Sequence, residues 1–201
     1  MTSREKILTK LRTANTVERA GVGVYRPQLR SDLKTDFVSK AEAADAMVHE
    51  IASAKDLPEK LQSLFSANGE TTPLHIAHGS FLHELPWERA PNLPLHDTAP
   101  ASEALALSTA DFAIAETGTL AFVSGAARPS SWHFLPGIEC VLVYHATIVP
   151  ALEDLFAQMA GETLPATLNL VTGPSRTADI EQTIERGAHG PRALHIFLSA
   201  T

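Results

Sequence analysis

Two turns carry the residue types that do chemistry. In ADFAIAETGTLAFVS, residues 110–124, Glu116 stands in a Glu-Thr-Gly-Thr turn between two short apolar arms. Phe112 and Ile114 alternate with Ala113 and Ala115, and Leu120 and Phe122 alternate with Ala121 and Val123, which is the period of paired strands. Gly118 supplies the permissive backbone of the bend. Buried arms bring the Glu116 carboxylate to the end of a packed element, where it serves as base or nucleophile, or else caps the turn or pairs with an arginine. The second turn is VTGPSRT, residues 171–177, read as a strand running into a helix. There Gly173 allows close backbone approach, Ser175 and Thr177 offer hydroxyls, and Arg176 presents a planar fork suited to carboxylate or phosphate. The plainer alternative is a capped helix with Arg176 paired to Asp179 or another carboxylate. With Glu116 in the catalytic role, Thr117, Gly118, Thr119, Gly173, Ser175, Arg176 and Thr177 are expected to hold a small carboxylate or anionic cofactor between the two turns.

Two further residues join this set. Arg128 lies in a polar loop, residues 125–137, with Ser130, Ser131, Trp132 and His133; His189 lies in the glycine-bounded ERGAHGP, where it is an acid/base or simply a surface residue. His75, His78 and His83 are closely spaced, but on a strand the first two face opposite ways and no thiolate accompanies them, so no metal site is expected. The 171–177 turn is neither a Walker loop nor a dinucleotide fingerprint. Cys140, the single cysteine, sits in IECVLVY, so no internal disulfide forms and this chain cannot by itself ligate an iron–sulfur cluster. No redox cofactor is expected in it.

The elements that position these turns follow from the hydrophobic pattern. Ile7, Leu8 and Leu11 give a short helix over 4–13, and an irregular arm with Gly21, Gly23 and Pro27 follows. Phe37, Ala41, Ala44, Val48 and Ile51 predict one helix over 35–54, and 57–65 a second, opened by Pro58 and closed by Asn68-Gly69. Residues 73–78 read as a short strand, 86–100 as a proline-rich loop and 102–107 as a short helix. The apolar run 138–145 reads as a strand covered on both faces, followed by a helix after Pro150, a strand over 167–171, a helix over 177–186 and a last strand over 193–199. Strand and helix alternating in this way predict a parallel α/β sheet with crossover helices.

Composition narrows the partners. With 44% hydrophobic and 19% charged residues the chain is an ordinary globular protein of 201 residues, and a net charge of −7 with scattered basic residues disfavours nucleic acid and anionic membrane. The start, MTSREKILTK, has no signal-peptide core, and no apolar run approaches the roughly 20 residues of a bilayer span, so a cytoplasmic protein is expected.

AETGTLAF at 115–122 and TGPSRTADIEQTIERGAHGPRALHIFL at 172–198 together resemble the lactate-utilisation protein C family (LutC/YkgG, the LUD domain). The resemblance runs from about residue 35 to the C-terminus and leaves 1–34 as a separate helix and arm. It implies a fold of the NagB/RpiA/CoA-transferase-like group, with a largely parallel central sheet flanked by helices. It also implies a cytoplasmic subunit of a complex that oxidises L-lactate to pyruvate beside iron–sulfur partner proteins. Two other classes stand beside it. One is a non-catalytic assembly subunit docking through 86–100 and 125–137. The other is a CoA-transferase-like or sugar-phosphate enzyme using Glu116, because Ala-Glu-Thr-Gly is similar to the Ser-Glu-Asn-Gly turn of that fold with two positions changed.

Overall fold

A computed structural model describes residues 2–14, 25–29, 32–67, 73–77, 79–125, 128–161, 163, 165–178, 184–187 and 190–201. In chain order the helices are α1 (Ser3–Ala14), α2 (Leu33–Ala43), α3 (Leu57–Ala67) and α4 (Leu152–Met159). The strands are β1 (Met47–Ile51), β2 (Leu74–Ile76), β3 (Leu95–His96), β4 (Leu105–Thr109), β5 (Phe112–Ile114), β6 (Thr119–Val123), β7 (Ile138–Tyr144), β8 (Ile148–Val149), β9 (Leu168–Val171), β10 (Arg176–Ala178), β11 (Ile184–Arg186) and β12 (Ala193–Ser199).

Six strands form the central sheet in the order β1-β12-β7-β4-β2-β3, every neighbouring pair parallel. Parallel strands are buried on both faces, which is why β7 and β12 are almost wholly apolar. Alternation sorts their side chains. Cys140, Leu142 and Phe197 meet Leu57, Leu61 and Phe65 of α3 on one face. Val141, Val143, Ile196 and Leu198 meet Phe37 and Ala41 of α2, with Leu120 and Phe122 of β6, on the other. A second sheet, β8-β5-β6-β9, covers that latter face and is itself backed by Leu155 of α4.

The hairpin at the Glu-Thr-Gly-Thr turn forms as the alternation predicts, with Phe112 opposite Ala121 and Ile114 opposite Thr119. Four expectations are corrected. The helix predicted over 35–54 ends at Ala43, because Asp45 turns to a φ of 67° and Ala46 N–H bonds back to Ala41; Val48 and Ile51 then lie on β1, held by pairing with β12. Residues 102–107 contain no helix: Leu105 begins β4, which lies between β2 and β7. The strand at 167–171 is not in the parallel sheet but pairs antiparallel with β6. In place of a helix over 177–186, β10 and β11 pair antiparallel, Arg176 opposite Arg186, and residues 179–183 lie outside the described residues. Bonds from Ser175 N–H to the Pro191 carbonyl and from Gly187 N–H to the Ser175 carbonyl tie the base of this hairpin and override the helical spacing.

Part of the N-terminal arm is laid on the body. Leu29 packs against the α2 cluster, Arg26 pairs with Asp154 at 3.3 Å, and the Tyr25 hydroxyl reaches Glu116. Among the described residues no helix is long and apolar enough to cross a membrane.

Candidate functional site

Among the described residues the one carboxylate set wholly inside the protein is Glu139, 0% exposed on β7. Period-two alternation puts it on the same face as Val141, and Ser108 of β4 faces the same way, so both point into the layer beneath the second sheet. The Ser108 hydroxyl donates to Glu139 Oε1 at 2.9 Å, and His133 Nδ1 lies 2.7 Å from the same oxygen. A carboxylate only accepts, so His133 carries a hydrogen on Nδ1, and Nε2 is the nitrogen left for other work. Proline at 129 and a 3₁₀ turn over Ser130–His133 carry the imidazole inward, where it is stacked on Phe122 with ring centroids 3.8 Å apart. Glu139 Oε2 is buried and has no hydrogen-bond partner among the described residues. A buried carboxylate that orients an imidazole is the arrangement of a general base, and an unfilled acceptor of this kind costs about 1–3 kcal/mol unless a ligand or water meets it.

Two clefts adjoin this dyad, and His133 is part of the wall of both. The larger, about 390 Å³, lies beyond the carboxyl ends of β2 and β4, the side of a parallel sheet where ligands collect. Its walls include Phe81, Phe122, Trp132, Ser108 and Arg128. The smaller, about 270 Å³, lies between the end of β9 and the start of β12; Glu139, Thr172, Gly173, Ser175 and Arg176 line it. Phe134 and Leu170, 48% and 45% exposed, stand at its edge.

The residues predicted from sequence divide between these places. Gly173, Ser175 and Arg176 line the smaller cleft with Glu139, and Thr177 follows on β10. Arg176 forms an ion pair with Asp45, just past the end of α2, which is the pairing with another carboxylate that the capped-turn alternative allowed; Asp179 lies outside the described residues. The two turns do meet: the hydroxyls of Thr117 and Thr119 are 2.7 Å apart, and that of Thr119 is 2.7 Å from Thr172. Their glycines, however, are pressed on the end of α2. A Cβ on Gly118 would strike the backbone of Lys40 and Ala41, and one on Gly173 the carbonyl of Ala44. Glu116 is half-buried, accepts a hydrogen bond from the Tyr25 hydroxyl, and lines neither cleft; that bond holds the Tyr25 phenol above its usual pKa. Arg128 lies in the larger cleft, paired with Asp111 at 2.5 Å. His189 is outside the described residues.

Glu139 is the residue that sequence reasoning passed over. Its signal is a carboxylate inside IECVLVY, a run whose both faces are covered, since an acidic side chain there must be satisfied or must serve. His133 was within reach too, as a polar residue beside the buried Trp132. Elsewhere, His75 Nδ1 is 2.9 Å from the Thr98 carbonyl and its ring meets His96, and among the described residues no group of three or more histidine, cysteine or acidic side chains is placed to hold a metal.

Comparisons with known proteins agree with this architecture. Residues 101–199, which span β4 to β12 and hold the dyad and most of both clefts, match the model of the LUD domain. Lactate utilization protein C of Halalkalibacterium halodurans is 28% identical over 177 residues, covering 85% of this chain and 74% of that protein. Lactate utilization protein C of a Geobacillus species is 33% identical over 99 residues, 46% of this chain and 41% of the relative. The Escherichia coli protein YkgG is 33% identical over 95 residues and is covered to 39–41% like several others of this group, so the chain spans well under half the length of those relatives. Among solved structures, a DUF162 family protein from Deinococcus radiodurans shares the fold, with a TM-score of 0.58 and 20% identity over 86% of this chain and 99% of that one.

Proposed function

We propose, for a chain that belongs to the LUD-domain family, a part in lactate utilisation as a subunit that binds a small hydroxy carboxylate, L-lactate, in the smaller cleft. The observation that carries this reading is Glu139 Oε2, an unfilled buried acceptor beside an oriented imidazole and across from Ser175 and Arg176. A 2-hydroxy acid offers the matching pair of groups. Its hydroxyl donates to Glu139 Oε2 or His133 Nε2, and its carboxylate takes the Ser175 hydroxyl and those Arg176 donors that Asp45 leaves free. Oxidation to the 2-oxo acid breaks the O–H and the adjacent C–H bonds and releases two protons and two electrons. The dyad receives the hydroxyl proton, the C–H hydrogen leaves as a hydride to a two-electron acceptor supplied with the partner proteins, and the iron–sulfur proteins take that acceptor's electrons onward while its proton passes to solvent. Phe134 and Leu170 at the cleft edge supply apolar surface for such a partner to cover.

Ligand-dependent melting tests the binding step. L-Lactate in excess over its Kd raises the melting temperature by mass action, and Arg176→Ala or Ser175→Ala removes most of that rise. A rise that persists in both variants refutes the placement. Copurification with iron–sulfur proteins from the native host tests the assembly.

A further inference from the structure

The larger cleft has a different chemistry from the smaller one, and the geometry points to it as a second ligand site, for a flat conjugated ring that carries a carbonyl and an N–H along one edge. Four rings meet there: Phe81, Phe122, Trp132 and the His133 imidazole, with Phe122 and His133 already stacked. Leu107 and Val123 add apolar wall. Walls of this kind favour a flat partner, because aromatic groups pack face to face with an offset or edge to face over apolar surface. A dry aliphatic chain would leave the polar side of the cleft unmet.

That polar side is specific. The Ser108 hydroxyl spends its hydrogen on Glu139, so the lone pairs of its oxygen are what it offers to a ligand, and they call for an N–H. Arg128 gives one guanidinium N–H to Asp111 and keeps the other donors of its fork, which call for a carbonyl. Asp111 is meanwhile held by the Val123 backbone N–H at 2.7 Å as well as by Arg128, so it fixes the fork in place. An acceptor and a donor in the wall of one aromatic slot select a ring of the flavin or pterin kind over a bare quinone. At about 390 Å³ the cleft is at the small end of ligand pockets, so it takes the ring and leaves any tail in solvent. Phe81, 43% exposed, stands at the mouth, and the ring exchanges with solution rather than being sealed in. This inference departs from the expectation that the chain holds no redox cofactor, and it stands independently of lactate binding in the smaller cleft.

Equilibrium dialysis of the whole chain against riboflavin tests it. Saturable binding of riboflavin is expected, with menadione, which has carbonyls and no N–H, at least ten-fold weaker. Phe81→Ala removes an exposed ring without opening the core, and Ala77→Leu fills the cleft from the end of β2; each weakens riboflavin at least ten-fold while a thermal melt shows the chain folded. Arg176→Ala, in the other cleft, leaves riboflavin binding unchanged and separates this result from the lactate assignment. No saturable binding, binding indifferent to both cleft variants, or menadione equal to riboflavin each overturns the inference.

Discussion

Glu139→Gln separates the dyad's chemistry from its packing. Glutamine has the same shape, and its amide oxygen can still accept from Ser108 and His133, the two bonds of 2.9 and 2.7 Å that Oε1 makes now. Bonds to a charged acceptor contribute about 1.5–3 kcal/mol each and neutral ones about 0.5–1.5, so weakening two of them costs roughly 2 kcal/mol. Removing a fully buried charge returns part of its desolvation penalty, and the net change in stability is held to within about 2 kcal/mol of zero. The chemistry fares differently. An amide cannot balance the imidazolium that forms when His133 takes a proton, and loss of an orienting carboxylate of this kind lowers turnover by about 10²–10⁴-fold. Glu139→Ala is the contrasting change: it leaves the Ser108 hydroxyl and the His133 Nδ1–H unmet in a buried layer at about 1–3 kcal/mol each, and opens a cavity besides. The paired measurements are urea unfolding of both variants and growth on L-lactate of the native host carrying each in place of the original gene. A glutamine variant that supports full growth refutes the proton-handling role, and an alanine variant losing under 1 kcal/mol refutes the claim that the buried bonds matter.

The remaining predictions concern packing and pH. Gly173→Ala adds a methyl against the Ala44 carbonyl at a φ of 68°, where an L side chain is itself strained, and should cost about 3 kcal/mol or more by thermal or chemical unfolding. Were the glycine there only to admit a ligand, the same change would spare stability and remove binding. His195 stacks on His49, with Nδ1 and Nε2 3.1 Å apart, and burial followed by the neighbouring imidazole pushes its pKa down to about 4. Burial and then Lys60 lower His49 as well. The unfolded chain therefore binds more protons than the folded one between about pH 4 and 6.5, so stability is full above 6.5 and falls toward pH 4. Allowing for the solvent near the ring edge, His195 accounts for about 2 kcal/mol of that loss. Urea midpoints at pH 7 and pH 4.5 check it, and His195→Asn should flatten the slope.

What the sequence made legible was local and periodic. The alternation of Phe112 to Val123 and Pro58 in the first turn of α3 were each enough to locate an element, because they report on residues that touch within that element, whereas Asn68-Gly69 lie outside the described residues. Long-range pairing was what local patterns missed. Val48 and Ile51 continue the spacing of α2 without a break, and only β12 alongside makes them a strand. The same holds for 176–186, where the ties from Ser175 to Pro191 and Gly187 decide between helix and hairpin. Glu139 was visible as an anomaly and His133 stands six residues before it, but Ser108 comes from another strand 31 residues away, and nothing in the local pattern joins the three.

The two glycine turns show how one residue-level signal can have two physical causes. Gly118 and Gly173 are needed because something comes too close for a side chain, and close approach is also what a ligand cradle demands. Here the body that approaches is the carboxyl end of α2, at Lys40–Ala41 and at Ala44. A helix presents unsatisfied carbonyls and partial negative charge at that end, so the α2 side of both turns repels an anion. Asp45 adds a full negative charge beside it and engages Arg176. A carboxylate ligand is therefore left with the opposite side of the second turn, where Ser175 and the free donors of Arg176 face the cleft that Glu139 lines. In the proposed arrangement Arg176 would be shared between Asp45 and the ligand. Asp45→Asn should accordingly tighten lactate binding by freeing the guanidinium, whereas a ligand seated between the turns on the α2 side would gain nothing from the Arg176 fork and would instead follow the charge at the helix end.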